Sequence, residues 1–154
     1  MKHDADLRII ELGLKLPPAP KPVGLYKPVL VVDKFLYISG QGPTRSDGTL
    51  MLGRLGTDLN TEEGKFVARQ VGLTMLSTIK THFGDLKKIK RLIKTFGMVN
   101  STPDYIQQPF VINGFSELMV EVFGEENGIG VRTAVGMILP SNIPVEVDAI
   151  FELY

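Results

Sequence analysis

Apolar positions recur along this chain in two rhythms, and the rhythms change in a definite order. Behind Asp4, Leu7, Ile10 and Leu14 fall at helical spacing, which predicts an amphipathic helix over Asp4–Leu16 with Asp4 as its cap. Pro17-Pro18-Ala19-Pro20-Lys21-Pro22 cannot carry a hydrogen-bonded element and reads as a stiff, extended linker. Two β-rich runs follow, Pro28–Val32 and Phe35–Gly40, with Asp33-Lys34 placed as a two-residue hairpin turn. Asp47-Gly48 marks another turn, Thr49–Leu52 a short strand, and residues 53–60 an irregular stretch. Asn60-Thr61-Glu62-Glu63 then opens a long helix whose stripe is Ala68, Val71, Met75 and Ile79, and Gly84 closes it. Ile89–Val99 reads as a strand. Phe110, Phe115, Met119 and Phe123 give a second helix within residues 105–123, capped by Gly124. After a polar loop, Glu125–Gly130, two strands end the pattern: Val131–Leu139 and Val145 onward.

The order is αββ(β)αβαββ. Short hairpins and two long helices predict an α+β domain, a mixed sheet with both long helices on one face and the first helix added at the N-terminus. The expected division is residues 1–22, helix and proline-rich linker, and residues 23–154, one domain. Such a sheet has a second face, and if that face is apolar, self-association is the natural way to cover it. Lys87, Lys88, Lys90, Arg91 and Lys94 cluster at the strand from Ile89, where the expectation is a solvated edge strand protected by its lysines.

Composition narrows the classes of function. With 154 residues, 44% hydrophobic and 22% charged, the chain suits one domain with a sizeable core. It has no cysteine, which removes disulfides, thiol nucleophiles and Cys-based metal sites. Its formal net charge of zero argues against a nucleic-acid or membrane-surface role. His3 and His82 are too few and too far apart in sequence for a His-based metal site, so no metal and no cofactor are expected. The polar start of the chain and the lack of a long apolar run make the cytoplasm the expected location.

The closing strands carry the candidate chemistry. Arg132 opens the first. On the second, Val145, Val147, Ala149, Phe151 and Leu153 share one face, and Glu146, Asp148, Ile150 and Glu152 the other. Tyr26 follows the proline linker, Ser39 ends a strand, and Asn113 interrupts an apolar helix. Each has a structural reading: an ion pair between adjacent strands for Arg132 and Glu146, a turn hydrogen bond for Ser39, a packing anchor for Tyr26, a cap or solvent contact for Asn113.

Val131-Arg132-Thr133-Ala134-Val135-Gly136, then Leu139-Pro140 and Val145-Glu146-Val147-Asp148-Ala149-Ile150, resembles the C-terminal signature of the RidA/YjgF family, once called endoribonuclease L-PSP. Ile38-Ser39-Gly40-Gln41-Gly42-Pro43 resembles its strand-end motif. The resemblance spans residues 20–154. It implies a chorismate-mutase-like fold, a homotrimer, and small-carboxylate sites in clefts between subunits. It further implies hydrolysis of reactive 2-imino acids to 2-keto acids and ammonia. Arg132 would clamp the substrate carboxylate and Glu146 would handle the water proton. Tyr26, Ser39 and Asn113 would line the pocket, with the backbone N–H of Ala134 on the carboxylate. Two other functions stay open: a non-catalytic trimer binding small carboxylates, and an endoribonuclease. The sequence departs from many deaminases in Ala134, where they carry cysteine, in loop 126–130, in the long segment 44–58, and in the N-terminal helix.

Overall fold

The structure, a computed structural model, describes residues 3–154. A hairpin starts the sheet: β1 (Val29–Val32) and β2 (Phe35–Gln41) pair antiparallel, and Asp33 takes the left-handed turn conformation at φ 52°. The long helix α2 (Thr61–His82) begins with a full capping box, in which Asn60 accepts from Glu63 N–H and Glu63 accepts from Asn60 N–H. A 3₁₀ turn at Leu86–Lys88 leads into β3 (Ile89–Asn100). Helix α3 (Gln108–Phe123) and the one-turn α4 (Glu125–Gly128) come next, then β4 (Val131–Met137) and β5 (Val145–Leu153).

The sheet order is β1-β2-β5-β3-β4, antiparallel except for the parallel pair β3–β4. Helices α2 and α3 cover one face. Leu36, Ile38, Leu92, Val99, Val145, Val147, Ala149 and Phe151 point to them and are buried with Val71, Met75, Leu76, Ile112, Phe115 and Met119. The helices cross in close contact at Gly114, where an added Cβ would lie 1.9 Å from the Lys65 carbonyl oxygen. The opposite face carries Leu30, Val32, Phe35, Tyr37, Phe96, Met98, Val131, Val135 and Ile150 around the carboxylates of β5. Leu30, Val32, Phe35, Tyr37 and Val131 there are each more than one third exposed. No described element covers this face.

Three expectations are corrected. The strand from Ile89 is no edge: β3 lies between β5 and β4, and the edges are β1 and β4. Two of its basic residues, Lys90 and Arg91, share one carboxylate instead. Lys90 Nζ lies 3.1 Å from Glu152 Oε1, and Arg91 Nε lies 3.1 Å from Glu152 Oε2 without hydrogen-bond alignment. The first helix ends early. Helix α1 spans Ala5–Glu11, because Gly13 at φ 63° turns the backbone out of the helix, with Gly13 N–H bonded to Ile10 O and Leu14 N–H to Ile9 O. Around residues 49–52 only an isolated bridge forms, Thr44 with Leu50.

The N-terminal segment is fastened across both long helices. Asp4 caps α1, Arg8 Nε donates to Glu121 O on α3, and Ser77 on α2 donates to Pro17 O. Asp6 binds Lys80 and accepts from Lys87 N–H. Burial pushes the Asp6 carboxyl up, but these hydrogen bonds outweigh it and leave its pKa below the ordinary value. A depressed carboxylate stabilises the fold above its unfolded pKa and loses that contribution as pH falls through the folded value. Asp6→Ala is expected to destabilise the protein by about 1 kcal/mol, or roughly 2–4 °C in Tm at neutral pH. Thermal unfolding across pH checks this: the gap between variant and wild type should close in acid.

Candidate functional site

Arg132 sits second on edge strand β4, in register with Thr95 of β3. Thr95 is in turn opposite the buried Ala149 of β5, so Arg132 projects on the helix side of the sheet. There α3 receives it. Arg132 Nη1 donates to Asn113 Oδ1 at 2.7 Å and to Ser116 Oγ at 3.2 Å, and Nη2 to the Pro109 carbonyl at 3.2 Å. These partners are all neutral. Partial burial alone draws the arginine pKa below its ordinary value, and the guanidinium stays charged. The three bonds use at most three of its five donors, and Nε–H has no described partner. The result is a cation held in place by neutral groups, with a free edge suited to a carboxylate.

Asn113 therefore lies beside Arg132. Ser116 was not anticipated. The signal for it is spacing: Asn113 and Ser116 are three residues apart on one helix and so share a face. Ala134 lies two residues along β4 from Arg132 and on the same side, its backbone aligned with Gly97. Beside Arg132 a cleft of about 540 Å³ runs between α3, β3 and the turn 128–130. Segment 44–58 does not line it; Leu55, fully buried, pins that segment at the far end of β3 through bonds with Asn100 and Thr102.

Glu146 is elsewhere. It pairs with Met98, which pairs with Val135, so all three project on the open face of the sheet. The proposed ion pair with Arg132 cannot form within one chain, because β3 separates β4 from β5 and the two side chains leave opposite faces. Glu146 packs against the bulge of β2 between Ile38 and Gln41. A Cβ on Gly40 would come within 2.5 Å of Glu146 Oε1, so glycine is what lets the carboxylate lie there. Ser39, in the same bulge, donates its hydroxyl proton to Lys27 O at 2.6 Å. That bond also draws the segment carrying Tyr26, which is about half exposed, toward the bulge. Burial raises the Glu146 pKa, and the neighbouring Asp148 raises it further. Asp148 is itself raised by burial, with Lys94 opposing.

The chain thus holds two candidate half-sites on opposite faces: Arg132 with Asn113 and Ser116 on the helix side, and Glu146 against the β2 bulge on the open side. The two histidines join neither. Among the described residues no three of His, Asp and Glu gather into a metal-holding group, and no helix is long and apolar enough to cross a membrane.

Comparison with known proteins agrees with this architecture. The chain is 42% identical over 143 residues to Protein TCP17 of Trypanosoma cruzi, covering 92% of this chain and 89% of that protein. The Atu1372 structure from Agrobacterium tumefaciens is 38% identical, with a TM-score of 0.86 over 97% of this chain and 94% of its own. A Shewanella oneidensis structure described as a candidate endoribonuclease is 31% identical, with a TM-score of 0.91 over 98% of this chain and 100% of its own. The family model described as YjgF/chorismate mutase-like, a candidate endoribonuclease family, matches residues 6–149. A match across nearly the whole chain, on a fold that presents Arg132 and Glu146 from separate faces of one mixed sheet, places this protein in the RidA/YjgF family.

Proposed function

We propose that the protein hydrolyses 2-imino acids to 2-keto acids and ammonia, in a site completed by a second copy of the chain. The observation that carries this reading is the separation of the half-sites. Arg132 stands on an exposed edge strand, ready for an anion, and Glu146 stands on an apolar face that needs a partner. Covering that face with neighbouring copies, as in the family's homotrimers, would bring the Glu146 half-site of one copy to the Arg132 edge of the next.

The chemistry then needs no metal or cofactor. The Arg132 fork holds the carboxylate, with Ala134 N–H beside it, and so fixes the imine carbon. The 2-imino acid enters as its N-protonated iminium, and Glu146 accepts a proton from water as the water oxygen bonds to that carbon. The same proton passes from Glu146 to the nitrogen of the tetrahedral adduct. The C–N bond then breaks as the adduct's hydroxyl gives its proton back to Glu146, the C=O bond forms, and ammonia leaves, carrying that proton away as ammonium. The Ser39 oxygen, its own proton committed to Lys27 O, can accept from the attacking water or the N–H. A carboxylate whose pKa is raised toward the working pH suits a group that must both take and return a proton.

Release of ammonia from 2-iminopropanoate or 2-iminobutanoate, generated in situ by an amino-acid oxidase or dehydratase, is the test. No acceleration over the spontaneous rate would leave a trimer that only binds small carboxylates. The endoribonuclease reading has neither a basic surface nor a histidine pair behind it.

The pH profile gives a second check. Activity should rise as Glu146 ionises. Asp148→Asn removes the like charge that helps hold the Glu146 proton, so the ascending limb of kcat/KM against pH should move to lower pH, while burial keeps it above the ordinary carboxylate range. An unmoved or upward-shifted limb would exclude Glu146 as the titrating base.

A further inference from the structure

The cleft beside Arg132 is larger than a three- or four-carbon acid requires, and its chemistry changes along its length. At one end stand Arg132, Asn113, Ser116 and Thr95. Thr95 is only 2% exposed, lines the cleft, and its hydroxyl has no described hydrogen bond. Along the rest, the walls are Leu92, Val120 and Ile129, with Gly128 and Gly130 on the rim. The groove follows α3 from Asn113 to Glu121, which is about 12 Å of helix at 1.5 Å per residue. The two acidic residues at its margin are already neutralised. Lys65 Nζ lies 2.9 Å from Glu117, and Arg69 grips Glu121 through two bonds of 2.8 and 3.0 Å. The wall therefore presents no unpaired negative charge to an anionic ligand.

We infer that the preferred ligands are 2-imino and 2-oxo acids with an extended apolar side chain: the carboxylate on the Arg132 fork, the tail along α3 between Val120, Leu92 and Ile129. This rests on Arg132 being the carboxylate clamp of the proposed reaction and adds the substrate class. At Gly128 and Gly130 an added Cβ would lie 2.5 Å from Met119 O and 2.6 Å from Ile93 O, so this turn packs its backbone directly on α3 and β3 and closes that end of the groove. Apolar burial would make each added methylene tighten binding by about two- to fourfold until the groove is filled.

The experiment is a calorimetric binding series on the full chain with pyruvate, 2-oxobutanoate, 2-oxohexanoate and 2-oxooctanoate, repeated with Ile129→Asp. Ile129 is 60% exposed on a turn, so this change leaves the core intact. The expected result is affinity rising with chain length in the wild type, with the rise lost in Ile129→Asp. Flat affinity, tightest binding of pyruvate, no binding of any acid, or a rise that survives Ile129→Asp would each overturn the assignment. Ammonia release, assayed separately, distinguishes the two ideas: a chain-length series without turnover removes the deaminase and keeps the groove, and turnover without a series does the reverse.

Discussion

Arg132→Ala is expected to lower kcat/KM for imine hydrolysis by about 10²–10³-fold, the scale on which removal of one preorganised charged donor acts. The loss should fall on both binding and turnover, because the clamp fixes the imine carbon as well as holding the substrate. Arg132→Lys should recover little. The bonds to Asn113, Ser116 and Pro109 O use the planar fork to aim the remaining donors, and an ammonium offers neither the plane nor the parallel pair. Folding should be nearly unaffected, since Arg132 is an exposed edge-strand residue whose loss leaves no buried charge behind. Ammonia release with thermal unfolding on the same preparations checks this. Unchanged kinetics in a folded Arg132→Ala protein would remove the carboxylate clamp and the mechanism with it.

How much of this could be read beforehand depended on how local the signal was. Helix α2 was legible because its cap, its stripe and its terminal glycine all lie in one continuous segment. The β1–β2 hairpin was legible from Asp33-Lys34 between two β-rich runs. The sharing of one β5 face by Glu146, Asp148, Ile150 and Glu152 follows from strand periodicity alone and holds in the structure. Strand order is another matter. The lysines of β3 suggested an edge, yet β3 is enclosed, because pairing with β5 and β4 is a non-local choice that local periodicity does not encode. The same gap produced the expected Arg132–Glu146 pair: the residues lie 14 positions apart on consecutive strands, but β3 inserts between those strands, and the pairing register across it sets the two side chains on opposite faces. The residues tied to the resemblance divided along the same line. Asn113 meets Arg132 within one chain, while Glu146 lies against the β2 bulge that carries Ser39, on the other face.

That division yields the most discriminating result expected. Arg132→Ala and Glu146→Gln chains, each inactive alone, should regain activity when co-expressed or co-refolded. If every site takes Arg132 from one copy and Glu146 from the next, a site is intact wherever a Glu146→Gln chain supplies the arginine and an Arg132→Ala chain the glutamate. In a closed ring of randomly mixed chains at equal amounts, that arrangement arises at about one site in four, so about a quarter of wild-type activity should return. No arrangement of the two variants restores a site built within a single chain, so the competing expectation is none at all. The mixture also tests the assembly, because a chain that is monomeric in solution cannot complement. The apolar face around Tyr37, Phe96 and Met98 supplies the physical reason to expect association, and burying it would take the Glu146 and Asp148 carboxylates further from water. That desolvation raises their pKa values in the assembled protein above those of a lone chain. Complementation should therefore come with a Glu146-dependent limb at higher pH than the same carboxylate would show in a dissociated chain.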